Sequence, residues 1–367
     1  MSFDFAQIAN PGVNGLHPYQ PGKPVEELER ELGISNIVKL ASNENPLGLS
    51  PKARDAVAAQ LSELARYPDA NGYYLKAALS EQLGVSPASL TLGNGSNEVL
   101  EILFRTFVRP GDEVIFDQHA FIVYALLTQS SGATARAIPS QDWGHDLDAM
   151  LAAINERTRV VCIANPNNPT GTFLSADALE AFLQQVPENV LVVLDEAYFE
   201  YVPQDQRADS MGWLKRFPNL TVSRTFSKAY GLAGLRVGYL ASSEAIADLL
   251  NRVREPFNCN APALAAATAA LADQDFVRQS VELNQQEMAR LEQYFDQRGI
   301  RYIPSHGNFI TAELKPAATI YQQLLEQGVI VRPIAGYGMP DHLRISVGLA
   351  QENDRFMQAL DTILEQQ

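Results

Sequence analysis

Apolar and polar positions change rhythm along the chain. A Pro- and Gly-rich beginning, "NPGVNGLHPYQPGKP", gives way to "VEELERELG", which reads as a short helix. Apolar residues then recur at helical spacing in "PKARDAVAAQLSEL", "NGYYLKAALSEQLG" and "SNEVLEILFRTFV". Short apolar runs follow in "DEVIFD", "ATARAIP", "RVVCIAN", "VLVVLDEA", "LTVSRTF" and "VGYLAS", with helical segments such as "FIVYALLTQSSG" and "SADALEAFLQQV" between several of them. Continuous apolar strands alternating with helices predict an α/β fold, a mostly parallel sheet covered by helices on both faces. "TLGNGSNE", residues 91 to 98, reads as a loop leading into the helix that begins near Ser96.

Beyond "REPFNCNAP" the rhythm changes. The helical pattern "DFVRQSVELNQQEMARLEQYFDQRG" leads to strands "IRYIPS", "NFITAEL", "VIVRPI" and "HLRISVG", interleaved with helices "ATIYQQLLEQG" and "ENDRFMQALDTIL". This predicts a smaller α+β domain. The division expected is an arm at 1–44 that joins the small unit, a large domain at 45–255 and a small one at 256–367.

Composition narrows the function classes. The 367 residues are 46% hydrophobic and 19% charged, ordinary for a globular enzyme that buries a large core. A net charge of -15 argues against nucleic acid or a membrane surface as partner, since both attract basic patches. It leaves room for a local anion site at a helix start. Two cysteines, Cys162 and Cys259, predict no disulfide framework and a reducing, cytoplasmic setting. The start of the chain lacks the basic and apolar regions of a signal peptide, and no apolar run is long enough for a membrane span. The five histidines have no metal-ligand spacing, so no metal is expected.

The unusual polar residues fall where strands end, which is where doubly wound sheets bind ligands. "RVVCIAN" runs into "NPNNPTG", "VLVVL" into Asp195 with Tyr198 beyond it, and "LTVSRTFS" into Lys228. Each has a plain structural explanation taken singly: turn chemistry for "NNPTG", a cap or ion pair for Asp195, a solvated ammonium for Lys228. Together they make a stronger case. A buried carboxylate at a strand end needs a cationic partner. A lysine among apolar neighbours tends toward a depressed pKa and a nucleophilic amine. A glycine-flanked helix start accepts phosphate, and Asn168 and Tyr198 can hydrogen-bond a phenolic oxygen. A pyridine ring carrying an aldehyde, a phenol oxygen and a phosphate satisfies all of them, and that molecule is pyridoxal 5'-phosphate (PLP).

"NNPTG", "LDEAY" and "TFSKAYGLAGLRVGY" resemble the fold-type I PLP-dependent aminotransferases. "YQPGKP", "LASNENPLG", "RYPD", "GNGSNE" and "LRISVG" narrow the resemblance to the histidinol-phosphate aminotransferase subfamily, in order from about residue 19 to residue 348. The resemblance implies that Lys228 joins the cofactor aldehyde and, once released, shuttles the proton. Asp195 would pair with the ring nitrogen, and Asn168 and Tyr198 with the phenolic oxygen. Ser96, Asn97, Thr225 and Arg236 would hold the phosphate, and Phe121 would stack on the ring. Tyr67 would reach the phosphate of a partner subunit, which implies a homodimer. Arg344 would clamp the substrate carboxylate; Tyr19, Asn43 and Arg332 are further candidates for recognising anionic groups of the substrates.

Two departures stand out. Residues 119–121 read "HAF" where family members commonly have "PTY", so Phe121 lacks a hydroxyl, and Asn94 sits inside the phosphate loop. The implied reaction is ping-pong transamination between histidinol phosphate and 2-oxoglutarate, in histidine biosynthesis. The same motifs also suit an aromatic or arogenate-type aminotransferase or a threonine-phosphate decarboxylase. A non-catalytic regulator on this fold is a further alternative, but the chain lacks the amino-terminal helix-turn-helix segment such proteins often carry.

Overall fold

The computed structural model describes residues 3–10, 12–16 and 22–366. Its strands are β1 (Val38–Lys39), β2 (Leu90–Gly93), β3 (Glu113–Asp117), β4 (Thr134–Ile138), β5 (Thr158–Ala164), β6 (Leu191–Asp195), β7 (Leu220–Thr225) and β8 (Gly238–Ser242). Toward the carboxyl end follow β9 (Tyr302–Ile303), β10 (Phe309–Glu313), β11 (Val329–Ile330), β12 (Arg332–Pro333) and β13 (His342–Ser346).

Seven strands form the large sheet in the order β2-β8-β7-β6-β5-β3-β4, parallel except for β8, which runs against both its neighbours. This is the expected α/β sheet. Its central strands are buried on both faces, which explains their continuous apolar character. Val161 and Ile163 of β5 enter one core layer, whereas Val160, Cys162 and Ala164 enter the layer on the other side, as the period of two requires. The edge strand β4 is largely exposed.

One reading changes here. Residues 91–93, the first three of the stretch read as a loop, belong to strand β2, which pairs with β8. The segment is too short and too poor in β-branched residues to announce a strand; pairing supplies what propensity does not.

The small sheet has the order β12-β13-β10-β9 and is antiparallel, with a core drawn from helices Gln274–Gln297, Ala317–Glu326 and Ala350–Leu364. "VIVRPI" divides into two short strands. Its first half, β11, pairs in parallel with β1 and ties the amino-terminal segment to this unit, while β12 pairs with β13. Helix Ala261–Leu271 packs Ala263, Ala266, Ala267 and Ala270 into the core of the large sheet. It therefore packs with the large unit, although it follows residue 256 in sequence. No helix among the described residues is long and apolar enough to cross a membrane.

Candidate active site

Strand register brings the motifs together. Ala164 pairs with Asp195, Asp195 with Ser223, and Gly238 with both Thr225 and Gly93. One edge of the large sheet therefore carries the ends of β5, β6, β7 and β2 and the start of β8. The small sheet faces that edge across a cleft of about 960 Å³, its open mouth included. Of the residues singled out from sequence, Asn43, Ser96, Asn97, Phe121, Asn168, Asp195, Tyr198, Thr225, Lys228, Arg236, Arg332 and Arg344 line this one cleft. Tyr67 does not; it stands 82% exposed, stacked on Phe257 at 4.8 Å between ring centroids. Tyr19 lies outside the described residues.

Asp195 closes β6 and is buried. Its Oδ2 accepts a hydrogen bond from the Tyr124 hydroxyl at 2.8 Å, while Oδ1 has no hydrogen-bond partner among the described residues. Burial raises its pKa to about 6, opposed by the Tyr124 hydrogen bond and assisted by the neighbouring Glu196 carboxylate. A buried carboxylate oxygen without a donor calls for a cationic N–H from a ligand. Tyr124 is a functional residue that sequence reasoning missed. It sits in the apolar helix Val123–Ser130, where a buried aromatic with a polar tip is the sole signal.

Lys228 follows β7, and its Nζ donates to the Ser42 carbonyl at 3.2 Å. Its pKa is lowered to about 8, first by burial and then by the Arg344 cation, with Glu44 opposing and Arg236 adding repulsion. The ammonium lies 5.7 Å from the centre of the Tyr198 ring. The Tyr198 hydroxyl accepts from Asn43 Nδ2 at 2.9 Å, and burial pushes its pKa up to about 12. Asn43 also accepts from Ser346 Oγ at 2.9 Å, so its amide joins the two walls of the cleft.

The anion end is built on backbone. Helix Ser96–Phe107 starts after Gly95, and no side chain caps it. A Cβ at Gly95 would come within 2.4 Å of Arg236 Nη2, and one at Gly238 within 2.6 Å of the Ser96 amide nitrogen. Glycine at both positions lets Arg236 and the helix start converge, a built anion cradle. Thr225, at the end of β7, holds the intervening turn through Ser227 N–H to Oγ1 at 3.1 Å.

Opposite stands Arg344 of β13, which donates to the Asn168 Oδ1 at 2.5 Å and to the Ala41 carbonyl at 2.7 Å. Arg332 of β12 is its direct cross-strand partner, so both guanidinium groups share one face and line one cleft. Thr311 Oγ1 donates to the Pro169 carbonyl at 2.5 Å, pinning the "NNPTG" turn to the small sheet. An orphaned buried carboxylate oxygen, a lysine with a depressed pKa and an uncapped helix start beside an arginine fit PLP.

The profile of the family Aminotransferase class I and II matches residues 35–360. The chain is 60% identical over 364 residues to histidinol-phosphate aminotransferase 2 of Pseudomonas aeruginosa, covering 98% of this chain and 99% of that protein. It is 58% identical over 359 residues to histidinol-phosphate aminotransferase 1 of Idiomarina loihiensis, covering 98% of each. In structure it is similar to histidinol-phosphate aminotransferase from Sinorhizobium meliloti, solved in complex with pyridoxal-5'-phosphate, at 30% identity and a TM-score of 0.90 over 97% of both chains. With fold, motifs and cleft in agreement, the chain belongs to the class I and II aminotransferases.

Proposed function

We propose that this chain is a PLP-dependent transaminase acting between histidinol phosphate and 2-oxoglutarate, in the biosynthesis of histidine. The observation that carries the substrate class is the Arg332–Arg344 pair. Like charges directly opposite on one sheet face repel, and an anionic substrate held between them relieves that repulsion. Histidinol phosphate offers a phosphate; glutamate and 2-oxoglutarate offer two carboxylates. The names of the bacterial relatives support the same choice.

PLP, when bound, supplies an electron sink for the charge that develops at the substrate Cα. The ring nitrogen would be held by Asp195, the phenolic oxygen by Tyr198 and Asn168, the phosphate by the Ser96 and Asn97 amides, Thr225 and Arg236, with Phe121 against the ring. Tyr124 holds the second oxygen of Asp195, so the free one is fixed in direction. Lys228 Nζ, with its pKa drawn down to about 8, is the base that takes the Cα proton and later returns it. Tyr198 keeps its hydroxyl proton at neutral pH and serves as a donor. Arg344 grips the substrate carboxylate with its planar fork, and Arg332 takes the distal anion.

Tyr67 supports a homodimer in this reading. A tyrosine so exposed, with Leu61, Leu64, Tyr73 and Tyr74 exposed nearby in sequence, suits an interface through which it reaches the partner's phosphate site. The two buried free cysteines suit a cytoplasmic protein.

The test is single-turnover absorbance with the PLP-loaded protein. Histidinol phosphate and glutamate should each bleach the band of lysine-bound PLP. Faster bleaching by phenylalanine or tyrosine would reject the substrate, carbon dioxide release would reject transamination, and protein that takes up no PLP would reject the cofactor.

A further inference from the structure

The departure at residues 119–121 has a structural counterpart on the other side of the cleft. His119 is buried, and its Nδ1 lies 2.6 Å from the carbonyl oxygen of Tyr337, a residue that lines the cleft. A carbonyl only accepts, so Nδ1 carries the proton; Nε2, 3.1 Å from Gln118 Nε2, then accepts from that amide. The imidazole is thus held at both nitrogens, in one tautomer.

Its backbone is fixed as well. Asp117 Oδ1 accepts the His119 amide at 2.8 Å while Oδ2 accepts Ser140 Oγ at 2.6 Å. The turn it grips is tight. Tyr337 N–H donates to Ile334 at 2.9 Å and Gly338 N–H to Ala335 at 3.0 Å, and Gly338 has φ of +74°. A Cβ on Gly338 would touch His119 Cε1 at 3.4 Å, so the imidazole rests directly on the turn. Ile122, three residues after His119, packs into the apolar cluster of Ile303, Ile334, Tyr337 and Met339. Trp143 bridges the same gap, its ring 5.4 Å from His119 and 5.0 Å from His342 of β13.

We propose that His119 is a positioning residue that locks the 335–338 turn to the large-sheet wall, so that Tyr337 forms a fixed side of the amino-donor pocket and sets donor affinity. This rests on the transaminase reading of the cleft. The bond that His119 adds to these contacts is one buried hydrogen bond, so its loss weakens donor binding by about fivefold to tenfold and leaves the chemistry on Lys228 alone.

Two measurements test it: donor affinity and maximal rate in single turnover with histidinol phosphate, and amide hydrogen exchange of residues 334–339 in the PLP-free protein. His119→Ala should weaken donor binding by that factor, change the maximal rate by less than about threefold and speed exchange by about tenfold. His119→Asn should restore both, because its Nδ2 stands where Nδ1 stood; His119→Gln should not, because its amide reaches the Nε2 position instead. In a Tyr337→Ala background, His119→Ala should add less than about twofold to the loss in donor affinity. Unchanged affinity and exchange in His119→Ala, an asparagine no better than glutamine, or a full effect without Tyr337 would each overturn the proposal. If His119→Ala does not fold, the asparagine–glutamine pair decides. If wild type ignores histidinol phosphate, the substrate reading has failed, and the exchange experiment still judges the lock.

Discussion

The two walls of the cleft are built in different ways. The large-sheet wall takes Asp195 and Thr225 from the ends of neighbouring strands whose register is set by long backbone ladders, and Asn168 and Arg236 from the turns just beyond β5 and just before β8. The small-sheet wall takes Arg332 from a strand of two residues and Asn43 from a positive-φ position at 53°, with Arg344 alone on a strand of ordinary length. A rigid ladder suits groups that must hold one ring through every cycle. Short strands and turns suit groups that must receive two substrates in succession. Chemistry should therefore concentrate on the first wall and affinity on the second, and substitutions can break that division.

The largest effect is expected at Lys228. Lys228→Ala should lower the maximal half-reaction rate about 10³-fold, because the base for the Cα proton is gone, while the donor concentration at half-saturation shifts little. A large loss of donor affinity with a modest change in rate would break the comparison.

Asp195 comes next, and its effect is read on stability. In the PLP-free protein its folded pKa is about 6 against an ordinary 3.8. Between those values the folded state holds the proton that the unfolded chain has lost, so stability falls as pH rises through that window and stays lower above it. The gap corresponds to about 3 kcal/mol. Asp195→Asn should therefore be more stable than wild type by up to that amount at pH 8 and equal to it near pH 4, by denaturant unfolding. Added PLP should remove the advantage at pH 8, since the ring nitrogen gives the carboxylate its partner. The absence of any advantage at pH 8 would mean that Asp195 is already paired without PLP.

The same division explains what could be read from the chain. The strands of the large sheet announce themselves because both faces are buried, and their ends carry Asp195, the "NNPTG" turn and Lys228 within a few residues of an apolar run. The small-sheet wall gives no such local signal. Arg332 and Arg344 become a pair only through the β12–β13 register, and Asn43 meets Tyr198 only across a separation of 155 positions in the chain. Resemblance, not periodicity, pointed to them. Tyr124 and His119 escaped both routes: one lies inside an apolar helix, and the other was visible as a departure without its partner Tyr337. The alanines of helix 261–271 show the same limit, since small residues do not say which core receives them.

Arg344→Lys should weaken donor binding by about 2 kcal/mol, roughly thirtyfold. A lysine offers a point charge where the fork grips a carboxylate and reaches Asn168 and Ala41 together. The maximal rate should fall less than the affinity; the reverse would move Arg344 to the chemical side of the comparison.

The smallest effect sharpens the comparison where the walls meet. Asn43 joins them through Nδ2 to Tyr198, Oδ1 from Ser346 Oγ and its backbone N–H to the same Ser346 Oγ at 2.8 Å. It does so at φ 53°, a region asparagine tolerates and alanine resists. Asn43→Ala loses the side-chain bonds and gains strain; Asn43→Gly loses the same bonds without strain. The glycine variant should be the more stable of the two by about 1 kcal/mol in denaturant unfolding, despite the extra freedom of its unfolded chain. In both, donor affinity should drop by a similar factor, because both leave Tyr198 without its Asn43 donor. Equal stability would show that the backbone at 43 relaxes once its side chain is gone, and that the short-strand wall, unlike the ladder opposite, holds its shape through side chains.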